Sequence, residues 1–137
     1  MAKEQKPFAL FIFGMIMPIV MILGGHSYII VVIPVIIMLI AELIRKMGNY
    51  NSMKYNIISC AVFSMWIGSS LSQMLFAKEK YIQMCKMMGD EYTKALEKLI
   101  TYPNLLLVFV GAFIGGLIGA FIGKKLLKKH FEKAGII

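Results

Sequence analysis

The amino-acid sequence predicts an all-α membrane protein, a polytopic helical bundle of four transmembrane helices with both termini in the cytoplasm. Three observations lead there. Apolar residues make up 59% of the 137-residue chain and charged residues 16%, more apolar surface than so small a domain can hide from water. Four apolar runs reach or approach the ~20 residues that a helix needs to cross a hydrocarbon core. Lysine and arginine collect between those runs on one side, as the positive-inside rule requires.

The spans fall at residues 8–24, 28–44, 55–76 and 103–123 of a single integral membrane domain, 1–137. The first follows Met-Ala-Lys-Glu-Gln-Lys-Pro, holds Pro18 and stops at Gly24-Gly25. Gly24-Gly25-His26-Ser27 is a poor cleavage site, so the run reads as a retained helix rather than a signal peptide. The second span holds Pro34; membrane helices accept proline where neighbours satisfy the freed carbonyls. Lys3, Lys6, Arg45, Lys46, Lys54, Lys124, Lys125, Lys128, Lys129 and Lys133 fall on one side of the spans. The junction Gly25-His26-Ser27 carries no formal charge, and the junction 77–102 sets five lysines against Glu79, Asp90, Glu91 and Glu97. That asymmetry places both termini and the second junction in the cytoplasm of a multi-pass cell-membrane protein.

The external segment 77–102 has apolar residues at three- and four-residue steps: Tyr81, Met84, Met88, Tyr92, Ala95 and Leu99. This is amphipathic helix spacing, interrupted at Gly89-Asp90, where Asp90 is placed to cap a second short helix. A solvated loop with nascent helicity is the plainer reading. The basic tail 124–137 continues the fourth helix into the headgroup region, where lysine stems snorkel and bind anionic membrane lipid.

The net charge of +8 is not a nucleic-acid footprint, because the cations sit in short clusters between apolar runs and form no basic face interleaved with aromatics. Cys60 and Cys85 fit neither a disulfide framework nor metal-ligand spacing. No Ser-His-Asp set, no paired intramembrane carboxylates and no GxxxxGK[ST] loop is present, so the expectation is a chain that is not an enzyme, binds no cofactor or metal and does not hydrolyse ATP.

Four features stand out as candidate sites. Gly111, Gly115, Gly119 and Gly123, with Gly116 beside them, predict close helix packing, within this chain or onto another protein. Ser59, Trp66, Ser70 and Gln73 fall near one face of the third span and must look inward; they read either as an organic-ligand pocket or as interhelical hydrogen bonding. His26 and Tyr28 sit at the first hairpin, to contact an entering ligand or to be solvated. Glu42, the single acidic residue inside a span, lies beside Arg45 and Lys46 and is expected in a local ion pair.

Several stretches also carry a family resemblance: Gly25–Tyr28, Ala41–Tyr50, Ala61–Trp66, Met88–Tyr92, Gly115–Gly119 and Gly123–Gly135. Together they resemble the Trep_Strep group of substrate-binding (S) components of energy-coupling-factor (ECF) transporters. Such families have six membrane helices, and this chain resembles the last four, so the family's first helix, with its small-residue docking motif, has no counterpart here. The resemblance implies a subunit that captures a small molecule such as a vitamin or micronutrient from outside, in N-terminally shortened form. It implies as partners a transmembrane coupling (T) protein and two ATPases that use the ATP. On that topology the substrate would meet His26, Tyr28, Trp66, Ser70 and Gln73, covered by the segment from Tyr81 to Tyr92. The residues leave open two further readings, a small self-associating transporter of the four-helix multidrug-exporter kind and a non-functional truncated fragment.

Overall fold

An apolar run in a water-free solvent must satisfy its backbone within the segment, and a helix does so. The computed structural model describes residues 5–131, with side chains to residue 127. Helix α1 spans Ala9–Leu23, α2 Ile29–Met47, α3 Met53–Ser64, α4 Gly68–Phe76, α5 Lys78–Lys86, α6 Asp90–Leu99 and α7 Tyr102–Phe131. No strand occurs among the described residues. A 3-10 turn, Met65–Ile67, joins α3 to α4. The rod Met53–Phe76, 24 residues, and Tyr102–Leu127, 26 residues, are each long and apolar enough to cross a membrane. Neither α1, with 15 residues, nor α2, whose 19 include Glu42, Arg45 and Lys46, meets that standard of length and composition.

The helices pack as an open row. α1 lies on α2, α2 on α3 and α4, and α3 and α4 on α7; among the described residues no substantial α1–α7 contact closes the series into a ring. Gly14 lets α1 approach its neighbours, since a Cβ there would lie 2.6 Å from both Met38 Sδ and the Phe63 ring. At the far edge the ring of Phe109 occupies the place a Cβ on Gly68 would take, 2.6 Å away.

One end of the row is rich in charge. The Phe8 N–H donates to Glu42 Oε1 at 2.7 Å, and Glu42 Oε2 faces Arg45 Nη1 at 3.5 Å. Both side chains are almost wholly buried, so the local ion pair expected for Glu42 is present. The Arg45 guanidinium also lies over the Tyr50 ring, 5.4 Å from its centre. Gln5 Nε2 donates to Asn51 Oδ1 at 3.0 Å. The segment before α1 is thereby tied to the α2–α3 turn.

The 3-10 turn changes which residues of the third span face inward. A 3-10 residue advances about 120° against about 100° in an α-helix, so three of them rotate α4 by roughly 60° relative to α3. Ser59 and Gln73 are buried as expected, but Trp66 and Ser70 are only half-buried, and Ser69 and Ser72 take the inward positions instead. Four serine hydroxyls bond back along the rod: Ser64 to Cys60 O, Ser69 to Trp66 O, Ser70 to Ile67 O and Ser72 to Gly68 O. Such back-bonding bends helices and accompanies the change of pitch.

The segment 77–102 forms two short helices, with one correction. Asp90 is the first residue of α6 rather than its cap; Gly89, at φ 111°, holds the cap position, and Thr93 Oγ1 donates to its carbonyl at 3.0 Å. Asp90 and Glu91 still complement the positive end of the helix dipole. Of the predicted apolar stripe Met88, Tyr92 and Leu99 stand exposed, while Cys85 and Thr93, off the stripe, are buried. α5 packs on α4 and α6 folds back on α5, pinned by the Lys78–Glu97 ion pair, while Asn104 Nδ2 of α7 donates to Leu99 O at the end of α6. α7 runs on beyond residue 123 to Phe131. Lys3, Lys133, residues 132–137 and the side chains of Lys128 and Lys129 lie outside the described residues.

Candidate functional site

The hairpin between α1 and α2 leaves the Ser27 N–H without a helical acceptor. Gln73, fully buried on α4, supplies one: its Oε1 accepts from Ser27 N at 2.9 Å, and its Nε2 donates to Ser70 O at 3.1 Å. Ser27 is itself buried. His26 is half-buried with Nδ1 3.1 Å from Met21 O, and Tyr28 is exposed. Four predicted site residues thus gather at the hairpin end: His26 and Tyr28 on the hairpin itself, with Gln73 and Ser70 bonded beneath it. Trp66 stands one turn away, half-buried in the 3-10 segment.

Tyr81 and Tyr92 come together separately, where α5 and α6 pack. The Tyr81 phenol bonds the Cys85 side chain and lies near Tyr92; burial first, then these neighbours, push its pKa up to about 12. No hydrogen bond among the described residues links this pair to His26 or Gln73. No cluster of three metal-ligating side chains occurs among the described residues either.

The glycines of α7, expected to pack within the chain or onto another protein, divide into two sets. A Cβ on Gly111, Gly115, Gly119 or Gly123 would meet nothing within 4 Å. Gly116 makes the contact instead: a Cβ there would lie 2.6 Å from Ser64 Oγ and 2.8 Å from Ala61 Cα. Steps of four residues drift around a helix by roughly 40° each, whereas steps of seven return to within about 20°. The face toward the rod therefore reads Phe109, Gly116, Gly123, while Gly111 and Gly115 fall on the outward side. Only 6% of the spanning window of α7 is buried by the rest of the chain, against 44% for the rod.

Serine hydroxyls bonded back along the rod, a buried amide joining α4 to the α1–α2 hairpin and a buried ion pair within α2, with broad apolar surface outside, fit a helical integral membrane protein. The chain belongs to the family described as hypothetical bacterial integral membrane protein (Trep_Strep), whose model matches residues 1–133. No curated protein and no solved structure matches it.

Sequence reasoning gave Ser27 no partner, did not turn Ser69 and Ser72 inward, and did not join Gly116 to Phe109 in one column. Seven-residue spacing was the available signal for the column. The serines depended on the pitch change at Met65–Ile67, for which residue spacing gives no sign.

Proposed function

We propose that this chain is a substrate-binding S component of an ECF-type uptake transporter, crossing the membrane four times with both termini cytoplasmic. It captures a small molecule from outside, and a coupling protein with two ATPases drives release inside. The observation that carries this reading is the outward face of α7. A membrane helix that turns Gly111 and Gly115 away from its own chain is suited to close approach by another helix, and a coupling subunit supplies one.

The topology has its own support. The segment before α1 bonds to the α2–α3 turn, and the start of α3 lies beside Lys124 and Leu127 at the end of α7. The three basic segments therefore share one end of the row, as a cytoplasmic face requires. The opposite end holds His26, Tyr28, Ser70 and Gln73, with Trp66 behind them, and α5 and α6 stand beside it with Tyr81 and Tyr92. The exposed Met88, Tyr92 and Leu99 of this pair suit the outer membrane interface. A ligand that takes the Gln73 amide must replace the Ser27 N–H, which couples capture to movement of the α1–α2 hairpin.

The same α7 face would serve a second copy in a small exporter. Glu42 speaks against proton coupling of that kind, since one oxygen accepts from Phe8 and the other faces Arg45.

Purification from native membranes in mild detergent tests the reading. The coupling subunit and both ATPases should co-elute with the chain, and Gly115→Leu should release them without unfolding it. Repeated recovery of the folded wild-type chain without such partners would sink the proposal.

A further inference from the structure

α3 and α7 touch at Gly116 and part toward the lysine-rich end. A Cβ on Gly116 would stand 2.8 Å from the Ala61 backbone, whereas one on Gly119 or Gly123 meets nothing within 4 Å. Between the parted helices lies a crevice of about 210 Å³, walled by Ile57 and Cys60 on one side and Gly119 and Gly123 on the other. Lys124 stands at its rim, exposed.

One polar group interrupts the apolar wall. Asn56 lines the crevice and is only 6% exposed. Its Oδ1 is buried and has no hydrogen-bond partner. A buried acceptor without a donor is costly, and none of the described residues supplies that donor. The rim has the opposite need. Lys124, and Lys54 and Lys125 next to lining residues, form no ion pair among the described residues.

We propose that this crevice binds one anionic, hydroxyl-bearing phospholipid, of which phosphatidylglycerol is the simplest example. An acyl chain lies along Ile57, Cys60 and the glycine wall, the phosphate meets Lys124, and the Asn56 amide turns so that its enclosed Oδ1 accepts from a headgroup hydroxyl. The crevice, about 210 Å³ and bounded above by the close contact at Gly116, has room for part of one acyl chain. The charge selects an anion, and the unpaired oxygen selects one that carries a donor. Single lysines near a membrane surface attract anionic lipid in general; the buried amide is what makes this a defined site. The site lies at the end of the row away from Gln73 and stands independently of the transport reading.

The test is native mass spectrometry of the full chain reconstituted with phosphatidylglycerol in a phosphatidylcholine background. The wild type should retain one phosphatidylglycerol per chain. Asn56→Leu and Gly123→Leu should each weaken that retention about tenfold, the scale of one lost hydrogen bond or a blocked crevice. Gly123→Leu places its side chain in open space, so it decides the matter if Asn56→Leu fails to fold. Equal retention of phosphatidylcholine, or equal phosphatidylglycerol retention by the folded variants, overturns the proposal. Displacement of the lipid by inorganic phosphate overturns it as well, making the site one for phosphate. A dimer that Gly123→Leu dissociates, with no lipid adduct, would assign the crevice to a second copy.

Discussion

The backbone N–H of Ser27 and the side-chain oxygen of Gln73, 46 residues apart in sequence, meet at 2.9 Å in a buried bond. This one contact joins the α1–α2 hairpin to the middle of the row. It also ties up the amide that sequence reasoning offered to a ligand, so any substrate must compete with the chain's own backbone.

Gln73→Leu removes the acceptor and leaves the Ser27 N–H unpaired in an apolar setting. The expected loss is about 1–3 kcal/mol of stability, seen as a lower midpoint of thermal unfolding in detergent. An unchanged midpoint together with lost ligand binding would show that the amide serves the ligand alone.

The Glu42–Arg45 pair makes a second prediction. Glu42→Gln removes the charge that faces a buried guanidinium, and breaking a buried pair from one side costs roughly 3–5 kcal/mol. Replacing both residues by leucine removes the two charges together and should restore much of that loss. Chemical unfolding of Glu42→Leu, Arg45→Leu and the double variant checks this, through a coupling energy that differs from zero.

Adjacent glycines on α7 should behave in opposite ways. Gly116→Leu forces a side chain into the Ala61 backbone and Ser64, so the folded monomer itself should be lost or strongly destabilised. Gly115→Leu meets open space and should leave helical content and unfolding unchanged while altering what the chain associates with. Circular dichroism and size-exclusion chromatography separate the two outcomes.

Tyr81 allows a prediction in pH. Its phenol is pushed up to about 12 from an ordinary value of 10, so the folded protein holds that proton more tightly than the unfolded chain does. The stabilisation is fully present below pH 10 and fades as pH rises toward about 12. Ultraviolet titration should show one late-ionising tyrosine, and Tyr81→Phe should remove it. A full set of tyrosines titrating together near 10 would refute the assignment.

Much of the helical architecture was legible in the residues, and the reasons are physical. Long apolar runs between charge clusters leave the backbone one economical solution, so α1, α2, the rod and α7 lie where hydropathy puts them. Gly89 broke the 77–102 segment in two because a φ of 111° suits glycine. Tertiary choices were less accessible. Periodicity indicates which face is buried but not its partner, so Gln73 was recognised as inward-facing while Ser27 was not paired with it. The stripe Gly111–Gly123 looked like one face because four-residue steps nearly repeat; over three steps the drift carries Gly123 round to the crevice and leaves Gly111 outside. The crevice itself depends on how α3 parts from α7, a relation between two helices that neither sequence segment contains.

The lengths of the edge helices have a consequence for the surrounding lipid. α1, at 15 residues, reaches only about 22 Å, while the apolar part of α7, residues 102–123 before Lys124, reaches about 33 Å. A bilayer core is about 30 Å thick. On the proposed four-span topology lipid thins beside α1, while at the other edge a slight lean suffices for α7. Because the row is open, this mismatch is not averaged around a cylinder. It becomes a thickness gradient from one flank to the other, an elastic dipole in the membrane that would orient neighbouring proteins by the depth of their own apolar belts.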